Sequence, residues 1–203
     1  MRINFPTWLT LFRMALLPVM VLVYYAHDIH AGIPMHVSTI GAAVIFVLAA
    51  LTDWFDGYLA RRWDQTSAFG AFLDPVADKL MVAVTLFLLV QSHNTALMAI
   101  ISAVIVGREI AVSALREWMA SIGQRSRVRV AMIGKLKTVM QMVAIVVLLL
   151  EHGREAELLR YWYVGESLLV IAAVLTIWSG LAYLHAAWPS LRGDNPETGA
   201  RDQ

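Results

Sequence analysis

Six apolar stretches, at residues 8–25, 37–55, 75–90, 96–118, 135–150 and 164–188, limit what this chain can become. Most approach the roughly 20 residues that a helix needs to cross a bilayer. Only 15% of the 203 residues are charged and 59% are hydrophobic, against the roughly one-quarter charged of a soluble domain. Inside hydrocarbon every backbone amide must find its partner within the chain, which leaves helices or a closed barrel, and runs of this length select helices. The expected fold is therefore all-α: a polytopic membrane protein, one bundle of six transmembrane helices.

Orientation follows from the cations of the connections, because lysine and arginine are retained on the cytoplasmic side. The first and third connections hold neither, the second holds Arg61 and Arg62, and the fourth holds Arg116, Arg125, Arg127 and Arg129 with Lys135 and Lys137 just beyond. Both termini are then cytoplasmic. The fifth connection adds Arg154 and Arg160 on the opposite side, among Glu151, Glu155 and Glu157. Arg13 and Pro18 within the first run, with no small-residue cleavage site after Tyr25, argue for a retained span over a cleaved signal peptide. Residues 1–190 read as one membrane domain, and 191–203, "LRGDNPETGARDQ", as a polar disordered tail. The absence of cysteine excludes disulfides and thiolate metal sites. Neither composition nor charge calls for a nucleic-acid partner; membrane lipids are the expected surroundings. Tryptophans such as Trp8, Trp118, Trp162 and Trp188 near the run ends suit an interfacial belt.

Against that background the stretch "DWFDGYLARRWDQTSAFGAFLDPVADKL", residues 53–80, is unexpectedly charged. The second span should continue as helix to about Arg62, since only Gly57 is a poor helix former there. Asp53 and Asp56 then stand three residues apart, about 60° around the axis, and share a face. Gly57 and Ala60 leave room beside them. Gly70 marks an expected turn or close contact, and Pro75 suits the first turn of a new helix on which Asp74 and Asp78, four apart, again share a face. Two sequence-adjacent helices joined by a short loop are expected to lie antiparallel and bring four carboxylates together.

Four converging carboxylates need compensation, because each unpaired ion in a membrane helix costs about 2.5–3.5 kcal/mol. Arg61, Arg62 and Lys79 could pair with them. An all-oxygen cluster without Cys or His is also what hard divalent cations such as Mg²⁺ or Mn²⁺ use, and four carboxylates suffice for two ions clamping a phosphoryl transfer. Asp64, in the polar loop without a partner at helical spacing, reads as a surface charge.

Asp53, Asp56, Gly57, Ala60, Arg61, Gly70, Asp74 and Asp78 follow the pattern D-x2-D-G-x2-A-R-x8-G-x3-D-x3-D. The chain thereby resembles the CDP-alcohol phosphatidyltransferases. The segments "INFPTWLTLFRMALLPV", "GREIAVSALREWMASIG" and "IGKLKTVMQM" resemble members of that family whose acceptor is glycerol 3-phosphate, and with the aspartate stretch they make up about half the chain.

The resemblance implies a reaction: transfer of the phosphatidyl group from CDP-diacylglycerol to the 1-hydroxyl of sn-glycerol 3-phosphate, with release of CMP. It also implies that Asp53, Asp56, Asp74 and Asp78 bind two divalent cations and that Asp78 is the general base. Gly57, Arg61 and Ser67 would hold the CDP moiety, with Thr10 a further contact; Thr7 stands where relatives carry asparagine. A homodimer in the bacterial inner membrane, with the site facing the cytoplasm, is implied in the same way.

A phosphorylated acceptor brings a dianion, so its site should show cations outside the aspartate pattern. Arg108, Arg116, Lys135 and Lys137 are the candidates, with Glu109 orienting one of them. Arg125, Arg127 and Arg129 read as interfacial anchors. Arg13 could pair with an aspartate or face the acceptor. His27, His30 and His36 lie in the outer connection and read as loop residues. Two other readings keep the aspartates: the same chemistry on serine, inositol phosphate or a second lipid, or a cation transporter, which would want its acids near the bilayer midplane.

Overall fold

A computed structural model describes residues 5–30, 32–63, 68–122, 132–152 and 159–192. These form seven helices and no strand: α1 (Phe5–Tyr24), α2 (Ala26–Ile29), α3 (Met35–Trp63), α4 (Ala68–His93), α5 (Ala96–Ser121), α6 (Met132–Glu151) and α7 (Leu159–Leu191). All but α2 have 20 residues or more. Among the described residues four stretches are long and apolar enough to cross a membrane: Thr7–Tyr24, Met35–Asp53, Ala96–Ser121 and Tyr163–Pro189. The expected tail lies outside the described residues beyond Arg192, as do Asp64, Ser67, Arg125, Arg127 and Arg129.

The helices pack as α6 on α7, α1 on α3, α5 on α7, α4 on α5, α1 on α4 and α3 on α6. Their core joins Met20 and Tyr24 of α1, Ala42, Ala43 and Phe46 of α3, Met81 and Leu86 of α4, Ile105 of α5, Ile145 and Leu148 of α6 and Leu169 of α7. Small residues set the closest approaches, as expected where lipid offers apolar side chains no contrast in polarity. A Cβ on Gly41 would lie 2.7 Å from Val23 Cγ1, and one on Gly165 would lie 2.8 Å from Leu148 Cγ. Large apolar side chains such as Phe12, Leu22, Phe87, Ile110 and Trp178 point outward, which fits a chain surrounded by lipid.

Three local expectations are corrected. Helix α4 starts at Ala68, so Pro75 lies inside the helix rather than in its first turn, and Gly70 is buried within the helix, which removes the turn from its two expected readings. A proline inside a helix gives up one backbone hydrogen bond and crowds the carbonyl of the preceding turn. Among the described residues α3 and α4 are not close-packed neighbours, because α1 lies against both. Two acid-bearing helices packed directly would bring like charges together; α1 carries the group that reconciles them.

The turn from α4 to α5 takes two residues. Asn94 adopts a left-handed conformation, φ 45°, and Thr95 caps α5 by accepting from the Met98 amide at 3.2 Å. At this end of the bundle His152, just past α6, stacks on Tyr24 with ring centroids 6.3 Å apart and stands 5.3 Å from the ring of His93. The Thr39 hydroxyl donates to the His152 carbonyl at 2.9 Å, tying α6 to α3. His93, beyond the apolar run of α4, donates from Nδ1 to the Leu89 carbonyl at 2.8 Å. Burial holds its pKa down from 6.5 to about 4, and burial with the nearby His27 also lowers that of His152.

Both values lie below those of the unfolded chain, which therefore binds more protons in the acid range. Stability is complete above pH 6.5 and declines as pH falls toward 4. Thermal melts in detergent at stepped pH should show this decline, and His93→Gln should flatten it. Gly165→Val should lower the melting temperature at every pH, because the added carbons force α6 from α7.

Candidate active site

The expected site residues come from five helices. Asp53 is on α3, 18 residues into a helix that runs on to Trp63; Asp56, Gly57 and Arg61 follow on the same helix, their side chains outside the described set. The long α3, about 43 Å at 1.5 Å per residue, carries the aspartate pattern beyond its apolar stretch without a break. Asp74 and Asp78 are on α4, Arg108 and Arg116 on α5 and Lys137 on α6. Lys135 begins the same helix, its side chain also outside the described set.

Arg13 of α1 resolves the alternative left open by the sequence. Its side chain is 2% exposed, and Nη1 lies 2.6 Å from Asp53 Oδ1 while also contacting Asp78 Oδ1. One turn earlier the Thr10 hydroxyl donates to Asp74 Oδ1 at 2.5 Å. A single helix thus meets the carboxylates of both acidic helices. An arginine three residues from a threonine in an apolar run was the available signal. Carboxylates at 43% and 47% side-chain exposure remain open to a ligand.

Beside this group lies a cavity of about 370 Å³. Its lining includes Arg13, Asp53, Asp78 and Lys79 as well as Arg108, Glu109, Arg116, Lys137 and Tyr183. The structure therefore brings together charged side chains that are as much as 124 residues apart in sequence, Arg13 and Lys137 being the extremes. Lys137 Nζ is 3.8 Å from Glu109 Oε1, so the expected orienting role of Glu109 falls on Lys137. Arg108 Nη2 donates to Ser179 Oγ at 2.6 Å, while its Nε is buried without a hydrogen-bond partner among the described residues. Sequence reasoning did not single out Thr138, Gln141, Ser179 or Tyr183; Ser179 and Tyr183 form a polar pair four apart in the apolar α7.

Among the described residues no three acidic or histidine side chains converge closely enough to enclose an ion, Asp56 being outside that set. Asp53, Asp74 and Asp78 nonetheless present an all-oxygen donor set, and one guanidinium nitrogen already bridges two of them. Such donors suit a hard divalent cation. His27 pairs with Asp28 at 3.2 Å, away from these acids.

Comparison with known proteins decides the family. Residues 3–178 match the CDP-alcohol phosphatidyltransferase family. The chain belongs to it. As a CDP-alcohol phosphatidyltransferase it has relatives over almost its whole length. A Yersinia pestis (strain Pestoides F) protein named CDP-diacylglycerol--glycerol-3-phosphate 3-phosphatidyltransferase is 50% identical over 191 residues, covering 94% of this chain and 98% of the relative. A protein of the same name from Shigella flexneri serotype 5b (strain 8401) is 50% identical over 187 residues, covering 92% and 96%. The family match includes Arg13, the aspartates, Arg108, Arg116 and Lys137, and ends at Trp178, one residue before Ser179.

Removing the Arg13 guanidinium should leave Asp53 and Asp78 opposed without compensation. Arg13→Gln is expected to cost about 1–2 kcal/mol in metal-free buffer, discounted for the partial exposure of both acids. Melting temperature of the detergent-solubilised protein in chelator measures this loss. Added Mg²⁺ should recover more of it in the variant than it adds to the parent.

Proposed function

We infer that this protein transfers the phosphatidyl group of CDP-diacylglycerol to the 1-hydroxyl of sn-glycerol 3-phosphate, yielding phosphatidylglycerophosphate and CMP. The observation that carries this reading is the full-length likeness to relatives named for that reaction, half of whose residues are identical. A cavity lined by both carboxylates and cations supports it, since the reaction needs a site for a pyrophosphate leaving group beside a site for a phosphorylated alcohol.

Asp53, Asp56, Asp74 and Asp78 would hold two divalent cations, Mg²⁺ or Mn²⁺. When bound, these ions supply positive charge to the pyrophosphate oxygens and make CMP a better leaving group. Asp78 takes the proton of the attacking hydroxyl; it lines the cavity, within reach of an alcohol held there. Arg13 keeps the Asp53 and Asp78 carboxylates in register on their two helices. Gly57, Arg61 and Ser67 bind the CDP moiety, and Thr10 acts through Asp74. Arg108, Arg116, Lys135 and Lys137 receive the acceptor phosphate.

The volume favours this division of labour. A cavity of about 370 Å³ suits a small phosphate ester, whereas two acyl chains belong in the surrounding lipid. In this reading α4 and α6 join the four apolar helices as spans of a six-helix bundle in the bacterial inner membrane. Both termini and the site face the cytoplasm, from which water-soluble glycerol 3-phosphate enters and into which CMP leaves, and the working unit is a homodimer.

Purified protein in mixed micelles should release CMP from CDP-diacylglycerol only when Mg²⁺ or Mn²⁺ and glycerol 3-phosphate are both present. Asp78→Asn, which cannot accept the proton, should be slower by about 10²–10⁴. Turnover with serine or inositol phosphate in place of glycerol 3-phosphate would overturn the acceptor assignment, and metal-independent turnover would overturn the role of the aspartates.

A further inference from the structure

The cations of the cavity have a backing on α7. Arg108 and Arg116 are eight residues apart on α5, roughly 12 Å along its axis, yet share one aromatic neighbour. The ring centroid of Tyr183 lies 6.0 Å from Arg108 Cζ and 5.7 Å from Arg116 Cζ. One turn earlier Ser179, 6% exposed, accepts the 2.6 Å hydrogen bond from Arg108 Nη2 and donates its own proton to the Thr176 carbonyl at 3.1 Å. That second bond orients the Ser179 lone pairs toward the guanidinium. Between the two residues, a Cβ on Gly180 would lie 3.2 Å from Arg108 Cγ, so the arginine stem runs close along the α7 backbone.

Neither side chain is aligned with the carboxylates: Ser179 does not line the cavity, and Tyr183 does so beside the arginines. Two guanidiniums facing one cavity repel each other and are long enough to turn outward. A π-face attractive to both, and a hydroxyl fixed on one, hold them inward before a ligand arrives. Arginine loses much rotamer freedom when it grips an anion, so a guanidinium that is already held binds a phosphate at lower cost.

We propose that Ser179 and Tyr183 are positioning residues for the acceptor, which orient Arg108 and Arg116 toward the cavity and thereby set the affinity for an alcohol carrying a phosphate monoester. This rests on the acceptor reading given above. Because both residues act through the cations and leave the carboxylates alone, their loss is read in acceptor affinity and spares the chemical step. Tyr183 serves two guanidiniums and Ser179 one, so the larger effect belongs to Tyr183.

The test is steady-state kinetics of CMP release with each substrate varied in turn, for the parent, Tyr183→Leu, Tyr183→Phe and Ser179→Ala. Tyr183→Leu should raise KM for glycerol 3-phosphate about five- to tenfold, with kcat and the KM for CDP-diacylglycerol within about twofold of the parent. Tyr183→Phe, which keeps the ring, should restore most of that loss, and Ser179→Ala should raise the same KM about threefold. Inorganic phosphate, as a competitive inhibitor against glycerol 3-phosphate, should weaken in parallel.

An unchanged acceptor KM, or a fall in kcat with both KM values intact, overturns the positioning role while leaving the acceptor assignment standing. Should Tyr183→Leu fail to accumulate as folded protein, Ser179→Ala and the phosphate inhibition carry the same decision. A parent enzyme that turns over only with an uncharged alcohol removes the acceptor reading and this inference together.

Discussion

A buried guanidinium organises the acidic side of this molecule. Asp53 and Asp78 stand on helices that do not pack closely on each other, and α1 brings Arg13 to both. Two carboxylates facing a low-dielectric helix bundle repel each other and lose hydration, so they can be held side by side only if a cation lies between them. Arg13 does so at 2% exposure, anchored in a helix whose neighbouring Thr10 takes up Asp74. The position of α1 between α3 and α4 is therefore tied to charge as well as to the apolar packing of Leu17, Met20 and Tyr24.

The same logic runs in reverse on the other side of the cavity. Arg108, Arg116 and Lys137 are cations of one cavity, and Glu109 of the same helix as the arginines is paired with the lysine. The excess positive charge is contained by an aromatic ring and a hydroxyl of α7, neither of which removes it. A surplus that is oriented and left unneutralised is what an anionic ligand requires. The bundle thus sets a carboxylate group and a cation group facing one small volume, and a reaction between a pyrophosphate and a phosphorylated alcohol needs both.

Much of this was legible in the residues. Carboxylates three and four apart in apolar helices, with glycine and alanine beside them, signal a site because hydrocarbon makes such charges costly wherever they have no work. Arg108 stood out for the same reason. Other features were hidden. The start of α4 at Ala68 was obscured because Gly70 and Pro75, usual punctuation marks of helices, are both carried inside one. The separation of α3 from α4 was hidden because sequence adjacency normally implies contact, and here a third helix intervenes to relieve repulsion. Ser179 and Tyr183 went unremarked because a serine and a tyrosine in an apolar run look like ordinary interfacial or packing residues until the arginines they touch are located.

Hydrophobic run length and the cost of an unpaired charge in a membrane are local properties, so the sequence by itself determined an all-helical membrane chain and the pattern of its aspartates. Pairing is a property of space. Which cation would answer which carboxylate, that Arg13 would bridge Asp53 and Asp78, and that α7 would back the cations of α5, depended on helix neighbours far apart along the chain. Those neighbours are selected by the fit of small residues such as Gly41 and Gly165 against the side chains they admit, and only the tertiary structure decided them.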